Sequence, residues 1–198
     1  GVLDGWHNSF AAVADAVPDV ALRASLRKLC ATLPLDYVAA TAPAVAYRDL
    51  DTILRNADAA NVAVRIEFGP VTTIRLYSAN RVPSLSTILP ALHNAGVAID
   101  REQAYSIFSP EGTRYFVTSL TVDAASAAKL AQPQVAHVAE ELFAALFNDT
   151  VEDGRLNGLV IEGGLSAREV QLVRAYTSYW RQAGSSFSVR YIAESLRR

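Results

Sequence analysis

The sequence predicts an α+β fold, in which an antiparallel sheet carries helices on one face and is flanked by N- and C-terminal helical segments. Three observations support this prediction. Apolar residues recur at steps of three and four over residues 7–57, alternate with polar residues over 62–77, and return to helical spacing after Pro133. Strands and helices that alternate over a short span imply a sheet with helices packed against it. We therefore expect a helical segment at 1–60, an α+β domain at 61–150 and a second helical segment at 151–198.

The segment at 1–60 is predicted to contain three helices. The first covers 7–17, Pro18 and Asp19 open the second, and Pro43 opens the third, because proline suits the first turn of a helix. Asp49 and Asp51 on the third helix are interpreted as solvated charges rather than as a catalytic pair. The apolar stripes of the second and third helices consist of Leu22, Leu26, Leu29, Leu33, Leu50, Ile53, Leu54 and Ala57.

Two strands are predicted next, at 62–68 and 71–77, joined by a turn at Gly69 and Pro70. Ile74 and Leu76 are expected to face the core. A polar loop at 78–86 then leads to a leucine-rich helix, which Gly96 ends as a left-handed cap. We expect Ser86 to be the N-cap of this helix, because Pro90 would then lie near the first turn, where proline costs little.

Further strands are predicted at 97–108 and 115–122, and an amphipathic helix is predicted after Pro133. Ser166 and Glu169 have the spacing of a capping box at the start of another helix, which Gly184 ends. Ser188 is expected to cap the last helix. The buried stripe of the helix that Ser166 opens is predicted to be Val170, Val173, Thr177 and Trp180.

Composition excludes several classes of function. The formal net charge of −2 argues against nucleic acid or an anionic membrane as a partner, and no apolar run reaches the ~20 residues that span a bilayer. Cys30 is expected to be a buried structural thiol. His7, His93 and His137 lack the spacing of a metal site. We therefore predict no catalytic residue, no cofactor-binding residue and no metal ligand in this chain.

The loop at 78–86 is the one candidate binding site. A strand ends there and the N-terminus of a helix begins, so free backbone N–H groups could receive a carboxylate or phosphate. Asn80, Ser84 and Ser86 are the candidate effector-binding residues. The alternative is that this loop is a plain connector.

Two stretches of the sequence resemble known families. The segment from Val82 to Ile99 is similar to the strand-to-helix signature of ACT domains, which are regulatory modules that often bind amino acids. A second set of residues lies in the C-terminal segment: Asp153 to Val160, Gly164 to Val170, Val173 to Tyr176, Tyr179, Arg181 to Gly184, Phe187, Ser188, Tyr191 and Ile192. This segment is similar to the non-catalytic region of the large bacterial NAD-dependent glutamate dehydrogenases, and Leu85 to Pro90 mirror a Leu-Ser-Asp-Val-Leu-Pro segment of that family.

The resemblance implies an ACT-like, ferredoxin-like sheet in a regulatory or assembly module. The parent enzyme would convert L-glutamate to 2-oxoglutarate with NAD, and its catalytic domain would lie elsewhere. The implied partners are other domains and subunits of that enzyme, in a homo-oligomer, and an amino-acid effector. A stand-alone ACT-type amino-acid sensor and a structural adaptor without a ligand remain alternatives.

The chain begins at Gly1 and contains no methionine. From this we expect an interior piece of a longer protein. The sparse use of cysteine and the lack of a signal-peptide pattern lead us to expect a cytoplasmic protein.

Overall fold

The computed structural model describes residues 2–56, 61–81, 84–184 and 186–196, and over these residues it confirms the predicted α+β class. The strands are β1 (Ala63–Glu67), β2 (Thr73–Ala79), β3 (Ile99–Phe108) and β4 (Arg114–Val122). A 3-10 turn covers Arg155–Asn157. The helices are α1 (Val2–Asp15), α2 (Val20–Cys30), α3 (Leu35–Ala40), α4 (Pro43–Arg55), α5 (Leu85–Asn94), α6 (Ala124–Leu130), α7 (Pro133–Phe147), α8 (Gly158–Gly163), α9 (Ala167–Gln182) and α10 (Val189–Leu196).

The strands form one antiparallel sheet in the order β1-β2-β4-β3. Two hairpins, β1-β2 and β3-β4, meet along their inner strands. The Asn80 N–H at the end of β2 donates to the Arg114 carbonyl at the start of β4 at 2.8 Å, and the Val122 N–H donates to the Thr72 carbonyl at 3.1 Å. These two bonds fix an antiparallel register between the inner strands.

Both faces of β2 are covered. Ile74, Arg75, Leu76 and Tyr77 are all buried, although successive side chains of a strand point to opposite faces. The sequence indicated the core-facing role of Ile74 and Leu76, and the structure confirms it. The sequence did not indicate that Arg75 and Tyr77, on the other face, are also inaccessible to water.

The chain divides into two compact units, of which the first contains residues 1–63, 75–82 and 102–119. Its helices α1, α2 and α4 pack on one another and on the sheet face that carries Tyr77, Tyr105, Ile107, Tyr115 and Val117. The predicted opening of α2 is confirmed, since Asp19 accepts hydrogen bonds from the N–H groups of Ala21 and Leu22. Helix α3 was not predicted, because its six residues are too few to show a periodic apolar stripe. The predicted stripe residue Ala57 lies outside the described residues.

The second unit contains residues 64–74, 83–101 and 120–198. Its core includes Leu92, Leu142, Phe143 and Val160, all with no exposed surface. Glu140 on α7 is half-buried, and its Oε1 accepts the Ile66 N–H at 2.6 Å. The short helix α6 was also not predicted from the sequence.

The start of α5 requires a correction. Its N-cap is Ser84 rather than Ser86, because the N–H groups of Thr87 and Ile88 bond to the Ser84 carbonyl at 2.9 and 3.0 Å. Pro90 therefore lies inside the helix. Its missing N–H would have bonded to the Ser86 carbonyl, and water can serve that carbonyl because Ser86 is exposed. Gly96, at φ +85°, ends the helix as predicted.

The predicted capping box is confirmed. The Ser166 hydroxyl accepts the Glu169 N–H at 3.3 Å, and the Glu169 carboxylate accepts the Ser166 N–H at 2.8 Å. Gly184 follows the end of α9 at φ +96°, and Ser188 accepts the Tyr191 N–H at 3.1 Å to cap α10, both as predicted.

Candidate functional site

The predicted effector loop lies at the end of β2 and the start of α5. Asn80 is exposed at φ +59°, a left-handed conformation that asparagine tolerates better than most residues. The hydroxyls of Ser84 and Ser86, both exposed, lie 2.6 Å apart, so the Ser84 side chain bonds to Ser86 instead of capping the helix. Asn80 belongs to the first compact unit and the two serines to the second. Val82 and Pro83 lie outside the described residues.

A buried ion pair lies within the first unit. Asp49 on α4 has no exposed surface, and its carboxylate is bonded to the Arg75 guanidinium of β2 on both oxygens, through Nε at 2.8 Å and through Nη2. Two tyrosine hydroxyls also donate hydrogen bonds to the Asp49 carboxylate, that of Tyr77 at 2.7 Å and that of Tyr37 on α3. Arg75 Nη1 also donates to the Ser119 hydroxyl at 3.2 Å. Every group of this cluster thus has a partner, as a buried polar network requires.

The charges of this pair shift the pKa values around them. Burial raises the pKa of Tyr37 well above its ordinary value, and the negative charge of Asp49 raises it further. Burial by itself would lower the pKa of Arg75, but the Asp49 charge and its hydrogen bonds outweigh burial and leave that pKa raised. Both the tyrosine and the arginine therefore keep their protons. Because Asp49 is inaccessible, we assign the cluster to holding α3 and α4 on the sheet rather than to chemistry.

The prediction that Asp49 is a solvated charge was wrong, since the residue has no exposed surface. A signal for the buried position was present. Asp49 lies three residues after Ala46 and four before Ile53, so it falls on the apolar stripe of α4. A carboxylate in such a stripe needs a buried cation, and Arg75 on a neighbouring strand supplies it.

The C-terminal helices of the second unit carry an exposed aromatic face, which we define as Leu172, Tyr176, Tyr179, Trp180, Phe187 and Tyr191. Val170 and Thr177 are buried as predicted, but the predicted burial of Trp180 is wrong, since 53% of its surface is exposed. Tyr176 and Tyr179 are 73% and 71% exposed. Phe187 stacks on Tyr191, with ring centroids 5.0 Å apart. An open groove of about 390 Å³ runs along this face.

The remaining candidates from the sequence are ordinary residues of the fold. Cys30 is buried as predicted, and burial raises the pKa of its thiol to about 11. His7, His93 and His137 are exposed on separate helices. Within the described ranges, no three His, Cys, Asp or Glu side chains come together as a metal site would require. In the same residues, no helix combines the length and the apolar character needed to cross a bilayer.

Two family models and several known proteins match this chain. The family model "Glutamate dehydrogenase, ACT3 domain" matches residues 68–135, and "Glutamate dehydrogenase, helical motif 3" matches residues 151–198. The NAD-specific glutamate dehydrogenase of Mycobacterium tuberculosis is 32% identical over 168 residues, which are 81% of this chain. Those of Pseudomonas aeruginosa and Halomonas elongata are 29% and 24% identical over 62% and 66% of the chain.

The chain belongs to the large NAD-specific glutamate dehydrogenase family. It spans about a tenth of the length of the M. tuberculosis relative and 8% of the other two. The match to the ACT3 domain confirms the ACT-like resemblance that the sequence indicated.

The effector loop and the aromatic face lie in different matched regions. The ACT3 match begins just before β2, includes Arg75 and the two serines of the effector loop, and ends early in α7. The helical motif 3 match contains the whole aromatic face. Asp49 lies outside both matches, in the N-terminal helices.

Proposed function

We propose that this chain is the non-catalytic regulatory and assembly module of a large NAD-dependent glutamate dehydrogenase. The whole enzyme would deaminate L-glutamate oxidatively to 2-oxoglutarate, and NAD would bind to its catalytic domain rather than to this chain. The observation that carries the proposal is the succession of an ACT3 match and a helical motif 3 match in a chain that is 32% identical to such an enzyme. In this proposal residues 1–60 and 151–198 flank an ACT-like domain at 61–150.

The aromatic face supports the assembly role. Large contiguous apolar surface is uncommon on monomeric proteins and marks interaction sites, and aromatic residues are enriched at such sites. Tyr176 and Tyr179 each expose more than two thirds of their surface on the polar helix α9. We propose that other domains or subunits of the enzyme cover this face in a cytoplasmic homo-oligomer.

The regulatory role is proposed for the loop with Asn80, Ser84 and Ser86. The exposed pair of serine hydroxyls at the start of α5 supports this proposal, because it leaves the first N–H groups of the helix without a side-chain cap. The proposed effector is an amino acid, whose carboxylate would accept hydrogen bonds from those groups.

The first test is enzymatic. The purified 198-residue chain should produce no NADH from glutamate and NAD. Measurable turnover would refute the non-catalytic assignment. Calorimetry against the twenty amino acids then tests the loop, since binding should be lost in Ser84→Trp, and binding that persists in this variant would place the effector elsewhere.

The second test addresses assembly in the full-length enzyme that contains this segment. Tyr179→Glu would bury a charge in the interface, and loss of a central tyrosine costs about 2 kcal/mol or more, which is roughly a 30-fold weaker association constant. The matched control is Leu35→Glu, because Leu35 is 72% exposed on α3 and lies outside the aromatic face. Sedimentation velocity should show dissociation of Tyr179→Glu at concentrations where the control stays assembled. Identical sedimentation of the two variants would contradict the assembly role.

A further inference from the structure

A polar cavity lies within the second unit, beside the aromatic face but separate from it. The loop at 152–154, the start of the 3-10 turn, one side of α9 and the first residue of α10 form its walls, and its volume is about 170 Å³. A water molecule occupies about 30 Å³ of liquid, so the cavity has room for one small molecule. The lining side chains that matter here are Glu152, Asp153, Arg155, Arg174, Ser178 and Arg181.

The central cation of this cavity is Arg174, whose side chain is only 14% exposed. Its Nη2 donates to Asn157 Oδ1 at 2.9 Å and its Nη1 to Gln171 Oε1 at 3.2 Å. Both acceptors are neutral amides and carry no compensating charge. The carboxylate that pairs with Arg174 is Glu152, but its Oε2 lies 3.9 Å from Nε on a side chain that is 77% exposed. A largely buried guanidinium is thus held mainly by neutral groups, which is costly unless an anion joins it.

The surroundings favour an anion from outside the chain. Asp153, the second carboxylate of the lining, accepts a hydrogen bond from Asn94 Nδ2 at 3.0 Å and is thereby tied to the end of α5. Three arginines and two carboxylates line the cavity, a formal excess of one positive charge. Arg174, Ser178 and Arg181 follow one another at steps of four and three residues, so they share one face of α9.

We propose that this cavity is a binding site for a small metabolite with a carboxylate or phosphate group. Arg174 and Arg181 would supply the charged hydrogen bonds, and the Ser178 hydroxyl a neutral one. A planar guanidinium donates two parallel hydrogen bonds to either oxyanion, which makes arginine the preferred residue for both groups. The site lies outside the predicted loop of Asn80, Ser84 and Ser86, and it does not depend on the reaction of the parent enzyme.

Calorimetry on the 198-residue chain at low ionic strength tests this site, with inorganic phosphate and succinate as the two probes. At least one probe should bind with a Kd at or below about 1 mM, and the probe that binds identifies the group as phosphate or carboxylate. Arg181→Gln should weaken binding about tenfold, because it removes a charged hydrogen bond from an exposed position that folding does not need. Arg168→Gln is the matched control, an exposed arginine of the same helix outside the cavity.

Each outcome decides the proposal. A tenfold loss in Arg181→Gln with unchanged binding in Arg168→Gln supports it, and so does loss in a folded Arg174→Gln variant. If neither probe binds at about 10 mM, or if Arg181→Gln and Arg168→Gln bind equally well, the proposal is overturned. Failure of this experiment leaves the loop site and the assembly role untouched, since neither involves these arginines.

Discussion

The ion pair between Asp49 and Arg75 gives the sharpest stability prediction. Asp49→Asn preserves the shape of the side chain but removes its charge, and it places an NH₂ group where donors of Arg75 or of the tyrosines now point. The Arg75 guanidinium, 7% exposed, would then be a buried cation without a counter-ion. Breaking a buried pair from one side costs about 3–5 kcal/mol, against a total stability of about 5–15 kcal/mol for a typical domain.

Urea unfolding measures this loss. With a slope of about 2 kcal/mol per molar urea, a loss of about 4 kcal/mol lowers the unfolding midpoint by about 2 M. Circular dichroism reports all the helices. The fluorescence of Trp6, which stacks on Phe10 with ring centroids 5.7 Å apart, reports the first unit once Trp180 is replaced by phenylalanine in wild type and variants alike.

Asp51→Asn is the matched control on the same helix. Asp51 pairs with Arg55 at 2.8 Å, but the Arg55 side chain is 63% exposed, so solvent screens the pair and it adds little to the free energy of unfolding. The control midpoint should therefore fall by less than about 0.5 M. If Asp49→Asn shifts the midpoint no more than Asp51→Asn does, the reasoning about the buried pair is refuted.

Three further predictions concern the backbone, a cap and the thiol. Gly112→Ala should lower the free energy of unfolding by about 1 kcal/mol, because Gly112 is at φ +92°. Gly5→Ala inside α1 is the control and should leave the free energy of unfolding equal or higher. A Cβ would contact no atom at either position, so equal urea midpoints of the two variants would contradict the conformational argument. Ser166→Ala should cost about 1 kcal/mol in urea unfolding by removing the cap of α9. Hydrogen bonds from the Ser166 backbone N–H and hydroxyl lower the pKa of Glu169, so the carboxylate part of this stabilisation is present above the ordinary glutamate pKa and lost as pH falls through the lowered one. Ser166→Ala keeps the bond from the backbone N–H, which is the larger cause, so this loss at low pH should be smaller in the variant but still present; a loss in Ser166→Ala that exceeds the wild-type loss would contradict it. Burial raises the pKa of Cys30 in the folded chain from 9.0 to about 11, so stability should fall as pH rises between these two values. The fall should be smaller in Cys30→Ala, and thermal melts at each pH measure it.

Local patterns in the sequence predicted the strands and most of the helices. The alternation of β2, the left-handed Gly96 and the capping box of Ser166 each depend on residues only a few positions apart, and each was confirmed. The start of α5 was predicted two residues too late. The cost of proline in a helix interior favoured a start that placed Pro90 in the first turn. The helix accommodates Pro90 in its interior because the Ser86 carbonyl, which loses its intrahelical hydrogen bond, is near water.

The candidate sites were harder to predict, because they depend on contacts that are distant in sequence. Asp49 and Arg75 are 26 positions apart in the sequence, so no local pattern reveals the partner that makes a buried carboxylate acceptable. Trp180 fits the apolar spacing of α9, and periodicity alone does not tell whether a neighbouring element covers that side. The cavity around Arg174 likewise arises only when the loop at 152–154 folds against α9.

The Asp49 and Arg75 pair also has an evolutionary consequence. A substitution at either position alone leaves a stranded buried charge, so the two positions should change together among relatives or not at all. Arg75 lies inside the ACT3 match at 68–135 and Asp49 lies outside it. An ACT3 region that lacks the N-terminal helices would therefore need another residue at position 75. In a homologue, an arginine at this position predicts that the N-terminal helices are also present.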